Sequence, residues 1–368
     1  MKILVAGAGP AGLYFAYLAK RAHRHWDIRV VEQNPPDATF GFGVVFSERA
    51  LDFLRGDDPQ TYDLITPAMQ VWSDLTVVHR GLPVVIDGIG FAAIGRLKFL
   101  QLLQQQAARA GVFPQYRKTV PSAAELAGYD LVVAADGANS TVRSMADFGT
   151  EVSPLTNKFA WYGTTRPFRT LTQTFVQNEY GAFNAHHYRH APDMSTFVFE
   201  CDARTWRRAG FGSMGESDTL AFCERVFAET LQGHRLVSNN SIWRNFRNVR
   251  NRRWSVGNKV LIGDALRTAH FSIGSGTRLA MEDAIALAAA LGEHSAVADG
   301  LAAFEAARRP IVEKLVAAAD ASGAWYERFA EHMQLAPREL AWSYIQRSGR
   351  VDPQRLRKTS PKFIEGRT

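Results

Sequence analysis

Glycines and acidic residues near the start of this 368-residue chain have the types and spacing needed to bind a dinucleotide. The segment Gly7-Ala8-Gly9-Pro10-Ala11-Gly12 lies between a short apolar run and an Ala- and Leu-rich helical run. In such a turn Gly7 allows the tight bend, Gly9 lets the backbone approach a pyrophosphate, and Gly12 lets helix pack on strand. The helix N-terminus adds free N–H groups and the positive end of its dipole. Glu32 ends the next strand, where it could accept hydrogen bonds from a ribose. The motif predicts a dinucleotide without choosing between NAD and FAD.

Two later turns place an acidic residue beside glycine at the end of an apolar strand. The first is Asp136-Gly137, which follows a Val- and Leu-rich run. The second is Gly263-Asp264, and it is followed by Gly274-Ser275-Gly276-Thr277 and a helix that we expect to begin at Thr277. Each turn alone is compatible with an ordinary capped strand-to-helix junction.

The elements that must position these turns indicate an α/β fold. Residues 2–32 have the order strand, helix, strand, whereas 151–250 are dominated by alternating, antiparallel-type strands. A strand and a helix of the first type return near 254–291, and Ser47 is expected to cap a helix through Leu54. We therefore predict a discontinuous nucleotide-binding domain (1–150 and 251–300), an inserted substrate-domain sheet (151–250, which 72–90 could join), and C-terminal helices with a basic tail (301–368).

The composition excludes several classes of protein. A hydrophobic content of 46% supports a folded core, and no apolar run approaches the ~20 residues needed to span a bilayer. Cys201 and Cys223 have neither metal-ligand spacing nor the number for a disulfide framework, so we predict no metal site and a cytoplasmic location. The net charge of +7 leaves open nucleic acid, an anionic membrane surface or a phosphate-bearing ligand as partner.

In their order and separations the three turns resemble the flavoprotein aromatic hydroxylases of the p-hydroxybenzoate hydroxylase fold. The resemblance implies a Rossmann-like FAD-binding domain with an inserted antiparallel-sheet substrate domain and a helical C-terminal region. It implies that the first motif holds the FAD adenosine and pyrophosphate, that Asp136-Gly137 lies by the pyrophosphate and the path of the nicotinamide cofactor, and that Asp264 binds the FAD linker. Gly274 to Thr277 would approach the isoalloxazine ring, where a helix N-terminus stabilises negative charge. Arg96 resembles a family arginine near the flavin linker.

Four further segments are similar to one group within that family, the salicylyl-CoA 5-hydroxylases and 2-aminobenzoyl-CoA monooxygenases. The violacein-pathway tryptophan hydroxylase shares several of them, and the similarity extends over about residues 1–360. The segments are Gly41–Ser47, Trp243–Phe246, His270–Gly276 and Ser343–Arg350. The chain departs from the wider family at His270-Phe271, where prolines are usual, and at Arg267, where relatives often have histidine.

The resemblance implies that NADH or NADPH reduces FAD, that O2 adds to give a C4a-hydroperoxide, and that its distal oxygen attacks an electron-rich aromatic ring. The expected substrate is a hydroxy- or amino-substituted aryl compound, with an aryl-CoA thioester such as salicylyl-CoA favoured. The same hydroxylation of a free aromatic acid, ester or indole stays open, as does an FAD oxidoreductase without oxygen insertion. Because the cofactor performs the chemistry, the protein must position the ring and exclude water rather than supply a nucleophile.

Polar groups that could face the flavin are the remaining candidates. His270 is the first choice for contacting a substrate phenol or amine, with Phe271 as a wall of the pocket; a histidine bonded to its own loop is the alternative. Strand alternation places His186 and Tyr188 on one face of the inserted sheet, as substrate contacts or as a solvated surface.

The densest basic stretch supplies candidates for binding CoA phosphates. Arg250, Arg252 and Arg253 could form bidentate phosphate contacts, and exposed surface charge is the alternative. No zinc, homeodomain or RNP pattern is present, so we predict no nucleic-acid partner and assign the basic excess to FAD, NAD(P)H and CoA. We expect a monomer or a homodimer.

Overall fold

A computed structural model describes residues 1–47 and 51–366, which form three β-sheets with helices packed around them. The strands are β1 Lys2–Ala6, β2 Asp27–Glu32, β3 Gly43–Ser47, β4 Gln70–Trp72, β5 Leu75–His79, β6 Leu82–Ile86, β7 Phe91–Gly95, β8 Gln115–Tyr116, β9 Leu131–Ala134, β10 Thr150–Thr164, β11 Leu171–Asn178, β12 Gly181–Ala191, β13 Met194–Cys201, β14 Leu236–Val237, β15 Arg244–Asn251, β16 Ser255–Val256 and β17 Lys259–Leu261.

The helices cover these sheets and supply most of the C-terminal region. They are α1 Pro10–Ala22, α2 Asp52–Asp57, α3 Pro59–Ile65, α4 Arg96–Arg109, α5 Ala123–Leu126, α6 Thr141–Ser144, α7 Ala203–Arg208, α8 Glu216–Val226, α9 Ala228–Leu231, α10 Gly276–Glu293, α11 Val297–Glu327, α12 Phe329–His332, α13 Pro337–Gln346, α14 Pro353–Thr359 and α15 Pro361–Glu365. Ser47, predicted to cap a helix through Leu54, is the last residue of β3, and the described helix in this region is α2, which begins at Asp52 and ends at Asp57. The first residues of the predicted helix and the last two residues of the predicted basic tail lie outside the described ranges. None of the described helices is long and apolar enough to cross a membrane.

The first sheet has the strand order β16-β17-β9-β1-β2-β8 and is parallel except for β16. Its central strands are apolar on both faces, with Ile3 and Val133 fully buried. That pattern is typical of a parallel sheet covered by helices on both sides. The carboxyl ends of β1, β2 and β9 meet at one edge, and all three predicted glycine turns lie there or on the adjoining β17.

The second sheet has the order β14-β10-β13-β12-β11-β5-β6, with β15 also paired to β10. It is antiparallel except where β5 pairs with β11, so strands from the 72–90 region lie in this sheet. A small third sheet, β3-β7-β4, packs beside it. These pairings confirm the mixed α/β fold class; the domain boundaries at residues 150, 250 and 300 stay a prediction.

A buried ionic network joins the turn after β17 to helix α10. The carboxylate of Asp283 on α10 accepts from the Gly263 amide at 3.0 Å and pairs with Arg267 at 2.6 Å. Arg308 on α11 approaches the same carboxylate at 3.4 Å and Glu282 at 3.0 Å. Asp283 is fully buried and both arginines are buried, so each charge depends on its partners. The network therefore fixes the Gly263-Asp264 turn against the helix.

We expect Asp283→Asn to lower the free energy of unfolding by about 3–5 kcal/mol, because it removes the carboxylate that forms the ion pair with buried Arg267. Urea unfolding of the FAD-loaded protein, followed by tryptophan fluorescence, measures the change. Glu331→Gln is the matched control, since its partner pair with Arg328 is exposed and should contribute little. Equal stability of the two variants would contradict the structural role of the network.

Candidate active site

Two connected cavities lie where the parallel sheet meets the second sheet. The larger, about 740 Å³, follows the carboxyl ends of β1, β2 and β9. The smaller, about 320 Å³, lies between the start of α10 and one face of the second sheet. Gly9, Arg96, Gly137 and Asp264 line both cavities, so the space is continuous from one to the other. An elongated ligand can therefore lie across the junction.

The first glycine motif shapes the larger cavity as its sequence predicts. Gly7 has φ +97°, and a Cβ there would lie 2.4 Å from the Ala135 carbonyl oxygen. A Cβ on Gly12 would lie 2.0 Å from the Gly7 carbonyl oxygen, so any side chain would separate α1 from β1. Gly9 faces open space within the cavity. The motif leaves backbone exposed at the start of α1, where a phosphate can approach.

Glu32 lies at the end of β2, beside the glycine motif. One carboxylate oxygen accepts from the Ala8 amide at 2.9 Å, and the other accepts from the Asn34 side chain at 2.7 Å. These bonds hold the carboxylate in place at the wall of the larger cavity. Its remaining lone pairs can accept hydrogen bonds from a ligand diol.

The Asp136-Gly137 turn follows β9 and leaves one polar atom without a protein partner. Oδ2 of Asp136 accepts two amides at the start of α6, whereas Oδ1 is buried and unpartnered within the described chain. Arg143 donates to the carbonyl oxygens of Ala138 at 2.6 Å and Ala265 at 2.8 Å. The arginine therefore ties the second glycine turn to the third.

Asp264 and Arg96 stand at the junction of the two cavities. Neither side chain makes a hydrogen bond or ion pair with the residues that the structure describes. Desolvation by the surrounding protein raises the pKa of Asp264, and the nearby charges of Arg267 and Arg96 oppose this shift. Desolvation also lowers the pKa of Arg96. Charged groups left unsatisfied by protein and open to a cavity indicate a polar ligand that completes their bonding.

The start of α10 faces the smaller cavity. Ser275, Gly276 and Thr277 line it, and the first backbone N–H groups of the helix have no intrahelical partner. Gly274 adopts φ +61° and packs against Val45 on β3. The helix dipole and these N–H groups favour negative charge at this position.

These features together fit FAD. The cofactor is an elongated dinucleotide, and the larger cavity offers a phosphate-binding turn and a diol acceptor. The unsatisfied Asp264 and Arg96 lie where its linker would pass, and α10 lies where its ring would end. Of the predicted cofactor residues, Gly12 and Gly263 line neither cavity: Gly12 acts by close packing, and Gly263 donates its amide to Asp283.

Three of the four predicted substrate-side residues line the smaller cavity: His186, Tyr188 and Phe271. The Tyr188 hydroxyl donates to the Gly43 carbonyl oxygen at 2.9 Å. Both ring nitrogens of the buried His186 lack a protein partner within the described residues. Burial, with the Arg347 and His270 charges, lowers the pKa of His186 to about 3, so its imidazole is neutral at pH 7. A neutral imidazole can both donate and accept a hydrogen bond to a ligand.

The structure does not bring His270 to the cavity. Its ring stacks behind Phe271, with centroids 4.4 Å apart, and Nδ1 bonds the Ser272 hydroxyl at 2.7 Å. The far side of the ring lines a separate small cleft beside Gly323. Phe271, and not His270, therefore forms the cavity wall. His270 is instead bonded to its own loop, which is the alternative interpretation of this histidine.

The structure also separates the three predicted phosphate-binding arginines from both cavities. Arg250 pairs with Asp320 on α11, Arg253 pairs with Asp147, and Arg252 lies against Gly149. Ion pairing neutralises two of the three, which favours a surface role. Their binding of CoA phosphates stays a prediction without support from this geometry.

Sequence reasoning missed the aromatic walls of the smaller cavity, which are Phe159, Trp161 and Phe246. Phe159 and Trp161 lie two residues apart on β10, so they face the same side of the sheet. That alternation was a usable signal. Phe246 carried a signal as well, since it lies in one of the segments with family similarity.

The fold and the site define a flavoprotein of the aromatic-hydroxylase class. Residues 97–319 match a protein-family model described as FAD binding domain, and the chain belongs to this family. It is 42% identical to a salicyloyl-CoA 5-hydroxylase of Streptomyces sp over 95% of this chain and 70% of that protein. It is 38% identical to a 3-hydroxy-4-methyl-anthranilyl-[aryl-carrier protein] 5-monooxygenase of Streptosporangium sibiricum over 90% of each chain.

Solved structures place the fold in the same class. The tetrameric form of 2-methyl-3-hydroxypyridine-5-carboxylic acid oxygenase superposes with a TM-score of 0.71 and 20% identity, covering 96% of this chain and 97% of the other. The expected fold and family are thereby confirmed, and the protein is a flavin-dependent aromatic monooxygenase. FAD, when bound, is the group that NAD(P)H reduces and that activates dioxygen.

A buried carboxyl group lies on the same face of the second sheet as His186. Glu200 on β13 accepts from the Asn157 side chain at 2.8 Å, and its second oxygen has no partner among the described residues. Burial raises the pKa of Glu200 to about 8; the Asn157 bond lowers this pKa and Glu327 raises it. The carboxyl is therefore protonated at neutral pH.

Because the pKa of Glu200 in the folded protein lies above its ordinary value of 4.5, folding retains a proton that the unfolded chain releases. Its contribution to stability is complete below about pH 4.5 and falls by about 1.4 kcal/mol per pH unit until about pH 8. We expect Glu200→Gln to remove this slope, measured by urea unfolding at several pH values. Glu331→Gln, at an exposed position, should retain it, and parallel wild-type and Glu200→Gln profiles would refute the assignment.

Proposed function

We propose that this enzyme hydroxylates the ring of a hydroxy- or amino-substituted aryl thioester, with an aryl-CoA as the favoured form. The observation that carries the proposal is the charge of the smaller cavity. Among the described residues that line this cavity, the charged ones are Arg96 and Asp264, and both lie at its junction with the larger cavity. The substrate walls supply no cation for a free carboxylate, and burying an unpaired carboxylate costs several kcal/mol. A thioester carries no such charge.

The aromatic walls suit a planar substrate. Phe159, Trp161, Phe246 and Phe271 surround the space next to the start of α10. Aromatic rings prefer offset-stacked and edge-to-face contacts, so these side chains orient a substrate ring and keep water from it. The names of two relatives, which specify a CoA thioester and an aryl-carrier-protein thioester, support the same substrate class.

His186 is the residue that we propose to contact the substituent on the ring. Both of its ring nitrogens lack a partner among the described residues, whereas Tyr188 already donates to Gly43 and the unpartnered indole N–H of Trp161 can only donate. A neutral imidazole accepts a hydrogen bond from a phenol or amine and increases the electron density of the ring. The N–H groups at the start of α10 stabilise negative charge at the neighbouring edge of the cofactor.

An uncharged indole or ester is the second candidate, because the absence of a cation on the described substrate walls favours any neutral compound over an acid.

Both cysteines are free and buried, which supports a reducing, cytoplasmic location. The choice between monomer and homodimer stays a prediction, whereas the names of the relatives favour oxygen insertion over an oxidoreductase activity without it.

We expect the FAD-loaded enzyme to couple NAD(P)H oxidation to oxygen insertion with salicylyl-CoA or 2-aminobenzoyl-CoA, and to couple it at least about tenfold less with the free acids. Liquid chromatography with mass spectrometry identifies a product with one added oxygen atom, and a peroxide assay measures uncoupled turnover. Indole and an aryl methyl ester serve as neutral comparison substrates. Hydrogen peroxide as the sole product with every compound would refute hydroxylation of this class, and equal coupling of acid and thioester would refute the charge argument.

We expect His186→Leu to lower coupled hydroxylation by about tenfold or more, whereas His270→Leu retains it, because His186 alone of the two faces the cavity. The ratio of oxygenated product to NAD(P)H consumed measures the effect, with FAD content as the control for folding. A larger loss of coupling in His270→Leu than in His186→Leu would contradict these roles.

A further inference from the structure

A third and larger space, about 1100 Å³, lies on the opposite face of the second sheet from the active-site cavities. Helices α8 and α9 cover the outer face over β10, β12 and β13, with Phe222 and Phe227 packed on it. Side chains of β5, β6 and β11 line the space beside these helices, and we call this space the outer groove. Its volume reaches the range of sites for nucleotide-sized ligands.

The outer groove is rich in cations that protein carboxylates do not neutralise. Arg166, Arg169 and Arg225 line it, and none of them forms an ion pair with the described residues; Glu229 is its acidic member. Nη1 of Arg166 is buried and has no hydrogen-bond partner in the described chain. Burial lowers the pKa of Arg166, and no carboxylate opposes this shift. Arg166 therefore has a positive charge and a hydrogen-bond donor that no protein group among the described residues satisfies, and both can be satisfied by a bound anion.

Hydroxyl groups and a histidine form the floor of the outer groove. The hydroxyls of Thr76, Thr170 and Thr172 form a chain with distances of 2.8 and 3.1 Å. The Thr174 hydroxyl bonds Nε2 of His187 at 2.9 Å, and Nδ1 of this histidine has no partner among the described residues. His187 is 2% exposed and lines the groove, so a buried imidazole nitrogen without a protein partner in the described chain lies beside this space. A neutral imidazole whose Nε2 accepts from Thr174 presents Nδ1–H as a donor.

We propose that the outer groove binds the phosphate groups of a small phosphate-bearing ligand, at a second site separate from the active site. Arginine forks, hydroxyl groups and an imidazole N–H are the donors that phosphate oxygens accept from. The ligand would not touch the aromatic substrate, because the sheet lies between the two sites. His187 nevertheless adjoins His186 and Tyr188 on β12, so an occupied groove contacts the strand that carries two active-site walls.

The test uses the FAD-loaded enzyme and isothermal titration with pyrophosphate and with ADP. We expect binding by the wild-type protein, and Arg166→Gln and Arg225→Gln to weaken it by about tenfold or more each while FAD content and substrate turnover without ligand stay unchanged. Arg207→Gln, which changes an exposed arginine on α7 outside the groove, is the matched control and should bind as the wild type does.

No binding by the wild-type holoenzyme would overturn the proposal. Equal affinity in all three variants would also overturn it, since the ligand would then occupy the cofactor region instead. Sodium chloride distinguishes a phosphate site from nonspecific attraction: complete loss of pyrophosphate binding to the wild type at about 0.15 M chloride would refute the site. These results do not depend on which aromatic compound the enzyme hydroxylates.

Discussion

The buried carboxylate of Asp283 is the interaction on which the arrangement of the site depends. It binds the Gly263 amide and the Arg267 guanidinium at once, so the turn after β17 cannot move independently of helix α10. Asp264 follows Gly263 directly, and α10 begins beside the smaller cavity. The Asp283 side chain therefore sets the distance between Asp264, at the junction of the two cavities, and the N-terminus of α10. Arg267, at the position where the family resemblance implies that histidine is frequent, pairs with this carboxylate.

The second sheet separates two environments by its alternation. Alternate residues on β12, among them His186 and Tyr188, face the aromatic cavity, whose charged lining residues are Arg96 and Asp264, whereas His187 faces a basic groove. Side chains at adjacent positions of one strand thus have different electrostatic surroundings. The C-terminal helices cover the cavity side of the sheet near β5 and β6, where Tyr326 and Phe329 pack.

His186 and His270 illustrate why a buried histidine is not by itself a functional one. Burial lowers the pKa of each to about 3, so both are neutral. They differ in their partners: Nδ1 of His270 is satisfied by Ser272, and both nitrogens of His186 are free. His270 has one nitrogen engaged by its own loop and lies outside the cavity, whereas both nitrogens of His186 are free beside the cavity, which makes His186 the better candidate.

The sequence alone determined the parts of the protein whose conformation depends on near neighbours. The turn at Gly7 needs a residue without Cβ, and the strand and helix beside it follow from local apolar periodicity, so the cofactor region could be predicted from spacing. The tertiary structure alone decided which side chains share a surface. The choice between His270 and Phe271 for the wall, the approach of Phe246 from β15, and the pairing of Arg250 with Asp320 all depend on contacts between residues distant in sequence. Local pattern constrains the backbone, whereas the direction of a side chain and its partner depend on packing that no short segment encodes.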